Sequence, residues 1–595
     1  MHVLDALEGV WILTVFLLAF LWVPIQLFRR PAHSDLLLRC AGNFARALLG
    51  ITAAVLLLVR LKTLNSATVT ALLASTIAAT WLLRNAGSPK VLGRRLQTAA
   101  IGTLQWFEMR SFRRYLLRRE HRKAPQSKSA DSRISQSFQL VQRRELLVAS
   151  LAIVLVLTGV LGAEHAVREL RLNQPGQYDI LLRARQLILN QVGSGPLVFP
   201  AVIATVSLLS AREPMQVTRF LVPIVAILTV LAIGLLLRTC MRCGVACVVG
   251  MYCLGAAAFP PVTDGPLVAV SLTRKLESLI RVSPASFRAS PEIGLGVLFV
   301  LLALALLADW YKNTRRWDPL VDVACCLVLV GLVSRSLLLL LVVVSAALLL
   351  QPVVGLVLLV VASYGLAAYA ALMPNTMDLS IVRAVLPIAA AVGIACLFAL
   401  AQVVLVPLAG RATEPILLVA SLVVVAIWFP PHQWPSQCLE YESAARVTQR
   451  IAEGFPRQKW AVAAPVEQLA ETFGLGGHED LAEFLEKYRD QVSNSDFRFP
   501  DARDDMFVYV EKRPFQIFSR EPDTPSFPVL ADATYRNYRS PGGRASLESA
   551  ALQLCESYRK AHSDTDIFFE DEDLRVYHIH QGSRETKKDG ARKGS

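Results

Sequence analysis

The chain is short of charge. Asp, Glu, Lys and Arg make up only 18% of its 595 residues, whereas 54% are hydrophobic. Soluble domains carry roughly 25% charged residues, so the shortage excludes an ordinary soluble enzyme of this size. Also missing are the alternating segments of about ten residues that a lipid-facing β-barrel needs. No Lys or Arg precedes the first apolar run. Its leader is "MHVLDALEG", and Arg29-Arg30 come after the run. That is the reverse of a secretory leader, and it predicts a retained anchor with its N-terminus outside. There is no Walker loop, no GxGxxG and no GxSxG. Cys240, Cys243 and Cys247 have a metal-finger look, but no fourth ligand stands near them. Cys438 and Cys555 are the only cysteines of the tail. Whether they meet as a disulfide is not set by sequence.

What the chain has in abundance is long apolar runs, which stop at Phe429. A bilayer core takes about 20 such residues per helix. The reading is a mainly α, polytopic helical membrane bundle followed by a small C-terminal α/β domain. Predicted spans are 10–28, 45–59, 64–83, 146–162, 219–237, 243–259, 293–308, 319–333, 336–350, 352–372, 384–408 and 415–429. Segment 196–210 is ambiguous, because Pro196 and Pro200 sit at its start.

Positive charge decides the threading. From Arg84 to Arg144 there are fifteen Lys and Arg against three acids. That block accounts for most of the net charge of +14. Beside membrane spans it reads as a cytoplasmic loop against anionic headgroups, and nucleic acid is not the expected partner. With this loop inside, "RTCMR" (238–242) and "DWYKNTRRWD" (309–318) also fall inside only if 196–210 does not cross. The expectation is therefore twelve spans in a cytoplasmic membrane, both termini outside, and 196–210 as a short surface or re-entrant helix. Residues 1–83 supply three spans and 84–145 the basic loop. Residues 146–430 form the core, with outer loops 163–218 and 260–292. Within the basic loop, Trp106, Phe107, Phe112, Tyr115 and Leu116 lie among arginines, as in an interfacial helix. The plainer reading is an anchoring loop.

The tail carries its own signals. Cys438–Phe455 has helical spacing, and "KWAVAA" reads as a strand. "PVEQLAETFG" and "HEDLAEFLEKYRDQV" read as helices. "MFVYVEK" is a strand, Ser546–His562 a helix, and "TDIFFEDEDLRVYHIHQ" two strands around an acidic turn. The domain spans 436–581, and 582–595 is polar and basic, predicted disordered. His578 and His580 share a strand face, which permits a metal. The ordinary reading of such a pair is a solvent-facing edge.

The outer segment "EHAVRELRLNQPGQYDILLRARQLILNQ" holds the candidate site. Ile180, Ala184, Leu187 and Ile188 fall on one helical face, and Arg183, Arg185 and Gln186 fall elsewhere. A helix lying flat on the outer leaflet has this pattern, with Asp179 at its N-terminal end. Next come the Pro-started "PLVFPAVIATVSLLS" and the Arg-headed "REPMQVTRFLVPIVAILTVLAIGLLLR". One span later stands "FPPVTDGPLVAVSL", with Asp264. In this order the chain resembles the GT-C superfamily of membrane glycosyltransferases, which use polyprenyl-phosphate-linked sugars. The resemblance covers roughly Leu146–Leu272. Family members commonly pair acids in the first loop; here Asp179 follows Tyr178, and Glu164 lies fifteen residues earlier.

The resemblance implies a sugar transferase at the outer membrane face. Asp179, Asp264 and Glu164 become the candidate acids, since an attacking hydroxyl must lose a proton. Arg183, Arg185 and Arg212 become candidates to hold the phosphate, with a divalent metal ion as the alternative source of positive charge. Two other readings stand beside it. Asp179 can be simply a helix N-cap, in a non-catalytic membrane scaffold whose outer domain binds a partner. A transporter fits less well: Asp322 is the main acid near a span, and no internal repeat is visible.

Overall fold

The computed structural model describes residues 2–24, 36–85, 131–172, 175–193, 195–241, 243–256, 291–311, 318–372, 379–409, 414–428, 431, 438–492, 497–499, 503–515, 541–562 and 564–581. The membrane part is all helix: α1 (His2–Leu17, continued by a π-helical turn Leu18–Trp22), α2 (Leu36–Arg60), α3 (Ser66–Asn85), α4 (Asp131–Arg168), α5 (Pro175–Ile188), α6 (Val198–Ser210), α7 (Pro214–Met241), α8 (Gly244–Gly255), α9 (Pro291–Asp309), α10 (Asp318–Val333), α11 (Arg335–Leu350), α12 (Pro352–Leu372), α13 (Leu379–Ala409) and α14 (Glu414–Trp428).

Five of these hold stretches long and apolar enough to cross a membrane: Leu37–Arg60, Leu146–Arg168, Pro214–Met241, Pro291–Asp309 and Val385–Leu405. The other seven expected spans correspond to apolar helices of 10–17 residues among the described ones. α9 and α7 form the centre of the bundle, 94% and 78% buried over their most apolar stretch. α4 and α13 lie at its rim, with only 22% and 28% buried. Their exposed Val148, Val156, Leu397 and Val403 are costly in water and unremarkable in lipid. The interior is not wholly apolar. Asp322 on α10 is fully buried and accepts from Arg46 of α2 at 2.5 Å. Burial of this carboxylate is tolerated because the guanidinium is paired with it.

Helix ends sort into two levels. At one level Glu8 pairs with Arg212 (3.2 Å), the Leu64 N–H donates to Asn190 (2.9 Å), and Arg219 donates to the Glu169 carbonyl (3.1 Å). At the other, Cys243 donates to Gln402 (2.8 Å), about 40 Å along α7 from its start. α6 begins and ends at the first level. Arg183 donates to the Pro196 carbonyl before α6, and Arg185 pairs with Glu213 after it (3.2 Å each).

The C-terminal domain docks at that first level. It has α15 (Glu442–Gly454), β1 (Trp460–Ala464), α16 (Gln468–Thr472), β2 (Gly477–Asp480), α17 (Leu481–Tyr488), β3 (Asp505–Glu511), α18 (Pro541–Ala561), β4 (Thr565–Glu570) and β5 (Leu574–His580). The sheet order is β2-β1-β3-β5-β4, with β1 parallel to both neighbours and β5 antiparallel to both of its own. β1 and β3 are buried at every position, as expected of inner strands covered on both faces. One face takes Ala444, Val447 and Ile451 of α15 against Val462, Phe507 and Val576. The other takes Phe484 of α17 and Leu554 and Tyr558 of α18 against Ala463, Val508 and Tyr577.

Two expectations for the tail need correction. His478 and Glu479 do not open a helix; they lie in β2, where parallel pairing to Val462 and Ala463 outweighs the helical pattern. Only Asp480 caps α17, its carboxylate accepting from Ala482 N (2.9 Å). Nor is β5 an edge: it runs between β3 and β4. No disulfide joins Cys438 and Cys555, and Cys555 is buried in the domain core. The aromatic-rich part of the basic loop and the tail from 582 lie outside the described residues.

Candidate functional site

α5 joins the two parts of the molecule. It opens with Pro175, whose fixed φ and missing N–H suit a first helical position. Its 14 residues carry three stripes. Ile180 and Ala184 pack into the bundle core, and Leu187 joins a second cluster with Val55, Val59 and Ala204. Tyr178, Leu181 and Leu182 enter the core of the C-terminal domain. Asp179 and Arg183 fall between them, one turn apart. The stripe that the sequence pattern set flat on the outer leaflet packs on the helix bundle instead. The opposite side, expected to face water, is covered by protein instead. Leu181 and Leu182 are the signal for this, being apolar on the supposed wet face.

Asp179 is not a cap. It lies in the second turn of the helix, and its carboxylate accepts from Arg183. The same guanidinium donates to Glu292 at 3.2 Å. Glu292 sits in the first turn of α9, a position in which an acid reads from sequence as mere helix-dipole compensation. Arg183 and Glu292 are both buried, and Asp179 is nearly so. Two carboxylates thus share one guanidinium. Asp179 Oδ1 and Glu292 Oε1 are buried and meet no donor among the described residues. Burial pushes the Asp179 carboxyl above its ordinary pKa, against the opposing pull of Arg183.

The loop after α5 is fitted to this cluster. Gly195 has φ +100°, and a Cβ there would lie 2.8 Å from the Arg183 guanidinium carbon. Only glycine allows both that backbone and that approach. From the domain side Gly474, at φ +79°, comes equally close to Leu189 at the end of α5.

The other expected site residues are placed apart from this cluster. Arg185 points into the C-terminal domain, donating to the Phe473 carbonyl at 3.1 Å and pairing with Glu213. Arg212 is half-exposed and pairs with Glu8 of α1. Glu164 pairs with Arg168 one turn on, at the end of α4 (2.8 Å). Asp264 lies outside the described residues. A divalent cation between Asp179 and Glu292 would have to displace the Arg183 guanidinium. The residues present do not fit a metal there, and no chemistry is routed through one.

A second polar cluster lies on the domain face of α5. Tyr178 donates to Glu440 at 2.5 Å, and Gln468 donates to the other Glu440 oxygen at 2.7 Å. Glu471 lies against Glu440, with both of its oxygens buried. Burial and the neighbouring carboxylate raise the Glu471 carboxyl well above its ordinary pKa, so it holds a proton. No family model, no curated protein and no solved structure matches the chain.

Proposed function

We propose that this chain is a twelve-span membrane protein that transfers a sugar from a polyprenyl-phosphate donor, with α5, α6 and the C-terminal domain on the outer side. The two levels of helix ends support the threading. α1, α3, α7 and α9 start at the domain level, and α2 and α4 end there, as alternating crossings require. α6 returns to the level that it leaves, in keeping with a segment that does not cross.

The observation that carries the transfer reading is the buried Asp179–Arg183–Glu292 cluster. It stands where the polyprenyl chain would lie in the leaflet and the sugar in the interface. A carboxylate with a raised pKa and an oxygen free of protein donors is suited to take the proton of an attacking hydroxyl. Arg183 holds the charge of the two acids in place. Asp264 is the further acid that the resemblance offers to the same site. Arg212, on a salt bridge that is half open to solvent, is the cation best placed to exchange Glu8 for a phosphate.

The test is transfer of labelled sugar from polyprenyl-phosphate donors by the purified chain in lipid. Asp179→Asn and Glu292→Gln keep shape and remove basicity. Loss of a base costs about 10²–10⁴ in rate. The reading expects that loss with unfolding temperature little changed. Full activity in Asp179→Asn would overturn it.

A second reading is a scaffold in which α5 couples the domain to the bundle. The Tyr178–Glu440–Gln468 network favours it. Wild-type chain inert toward every polyprenyl-phosphate sugar, but binding a protein through its C-terminal domain, would move the balance there.

A further inference from the structure

We infer that Asp505, His578 and His580 form a binding site for a divalent transition-metal ion of the zinc type on the sheet of the C-terminal domain. The register brings them together. His580 stands opposite Asp505 in the antiparallel β3/β5 pair, and His578 is two residues along the same strand. Alternate strand residues share a face, so both imidazoles lean over one carboxylate. His578 Nε2 is 2.8 Å and His580 Nδ1 2.9 Å from the same Asp505 Oδ1. One donor atom from each residue lies within 4.8 Å of the others.

That is close to what zinc requires. Bonds of about 2.0–2.1 Å to nitrogen and oxygen in a tetrahedron set neighbouring donors about 3.3 Å apart. The two nitrogen–oxygen distances, 2.8 and 2.9 Å, are within about half an ångström of that spacing. Two imidazoles and one carboxylate suit zinc and its neighbours, and three protein ligands leave a position open. The site is also held in place. The His578 ring is stacked on Phe507, 4.7 Å between centroids and 10° between planes, with Phe455 against its edge. His580 is 60% exposed and gives the ion a way in. The local charge is favourable. Asp566 stands opposite His578 on β4, and Asp564 is next to the strand end. The nearby cations, Lys459 and Arg498, are drawn to Asp504 and Asp564 and leave Asp505 to the histidines.

The experiment uses the whole chain, purified in detergent by a tag without histidine, stripped with chelator and dialysed against zinc ions. About one tightly held zinc per chain is expected. Cobalt(II) in its place should give visible absorption bands that report nitrogen and oxygen ligands. His580→Gln, a change at a 60% exposed side chain, should weaken zinc binding by at least the roughly 10–100-fold that loss of an outer partner costs. Asp505→Asn should do the same, and the exposed His580 variant tests the site without altering an inner strand. Zinc should raise the unfolding temperature of the wild type and not of His580→Gln. Failure to retain zinc at micromolar free ion would overturn the inference. So would uptake unchanged in His580→Gln, which would move the ion to another cluster such as His165, Glu169 and Cys438.

Discussion

At the scale of single residues, buried acids decide how this protein responds to pH. Glu471 and Glu440 lie together between α5 and the sheet, and both carboxyls are pushed up, chiefly by burial. An acid whose folded pKa exceeds its unfolded value near 4.5 binds its proton more tightly in the folded state. Its contribution to stability is fully present in acid and is lost as pH rises through the folded value. His478 acts in the opposite sense: burial lowers it to about 4, so it destabilises the fold as pH drops below about 6.5. Glu471→Gln isolates the first effect. With rising pH between 5 and 8 its stability should fall less, or rise more, than that of the wild type, the two slopes differing by up to about 1.4 kcal/mol per pH unit for the one proton removed from the linkage. Chemical denaturation of both chains across this range measures it, and equal slopes would refute the assignment. The partners behind these effects were not legible in the sequence. Glu292, Glu440 and Asp505 are ordinary acids there, and what makes each of them matter is a neighbour 70 to 270 positions away.

At the scale of elements, periodicity found the helices and most strands, because burial of one stripe or of alternate residues is written locally. It could not say what covers a stripe. α5 shows this. The pattern of Ile180, Ala184 and Leu187 correctly marked a face packed on something apolar. Whether the far face met water or a second layer of protein depended on a domain that begins some 250 residues later. β2 shows the converse: a sequence with helical spacing, "HED", becomes strand because β1 offers an open edge. The sandwiched position of α5 has a measurable consequence. Leu181 is fully buried in the domain core. Leu181→Ala should cost about 2–5 kcal/mol, the usual range for a buried leucine. It should lower the unfolding midpoint in detergent, although the residue belongs to neither the sheet nor a membrane span. A variant as stable as wild type would mean that α5 leaves the domain in solution.

At the scale of the whole molecule, the proposed threading draws on charge and on contact, two independent routes. Basic segments set the sidedness, since Lys and Arg are retained on the cytoplasmic side. Contacts between helix ends set which ends share a level, with no reference to charge. They put the Glu8 end of α1, the turn after α2, the end of α4 and the start of α9 together with the C-terminal domain. The proposed threading sets the basic segment between α3 and α4 on the opposite side from the domain. Thiol labelling tests this directly. None of the ten native cysteines is exposed, so the wild-type chain provides the blank. A cysteine in place of Ser526, in the tail, should react with a membrane-impermeant maleimide on intact cells. One in place of Ser127, in the basic segment, should react only after the membrane is opened. Labelling of both from the same side would break the alternation. It would also remove Asp179 and Glu292 from the face at which a polyprenyl-linked sugar is presented, and the transferase proposal would fall with the threading.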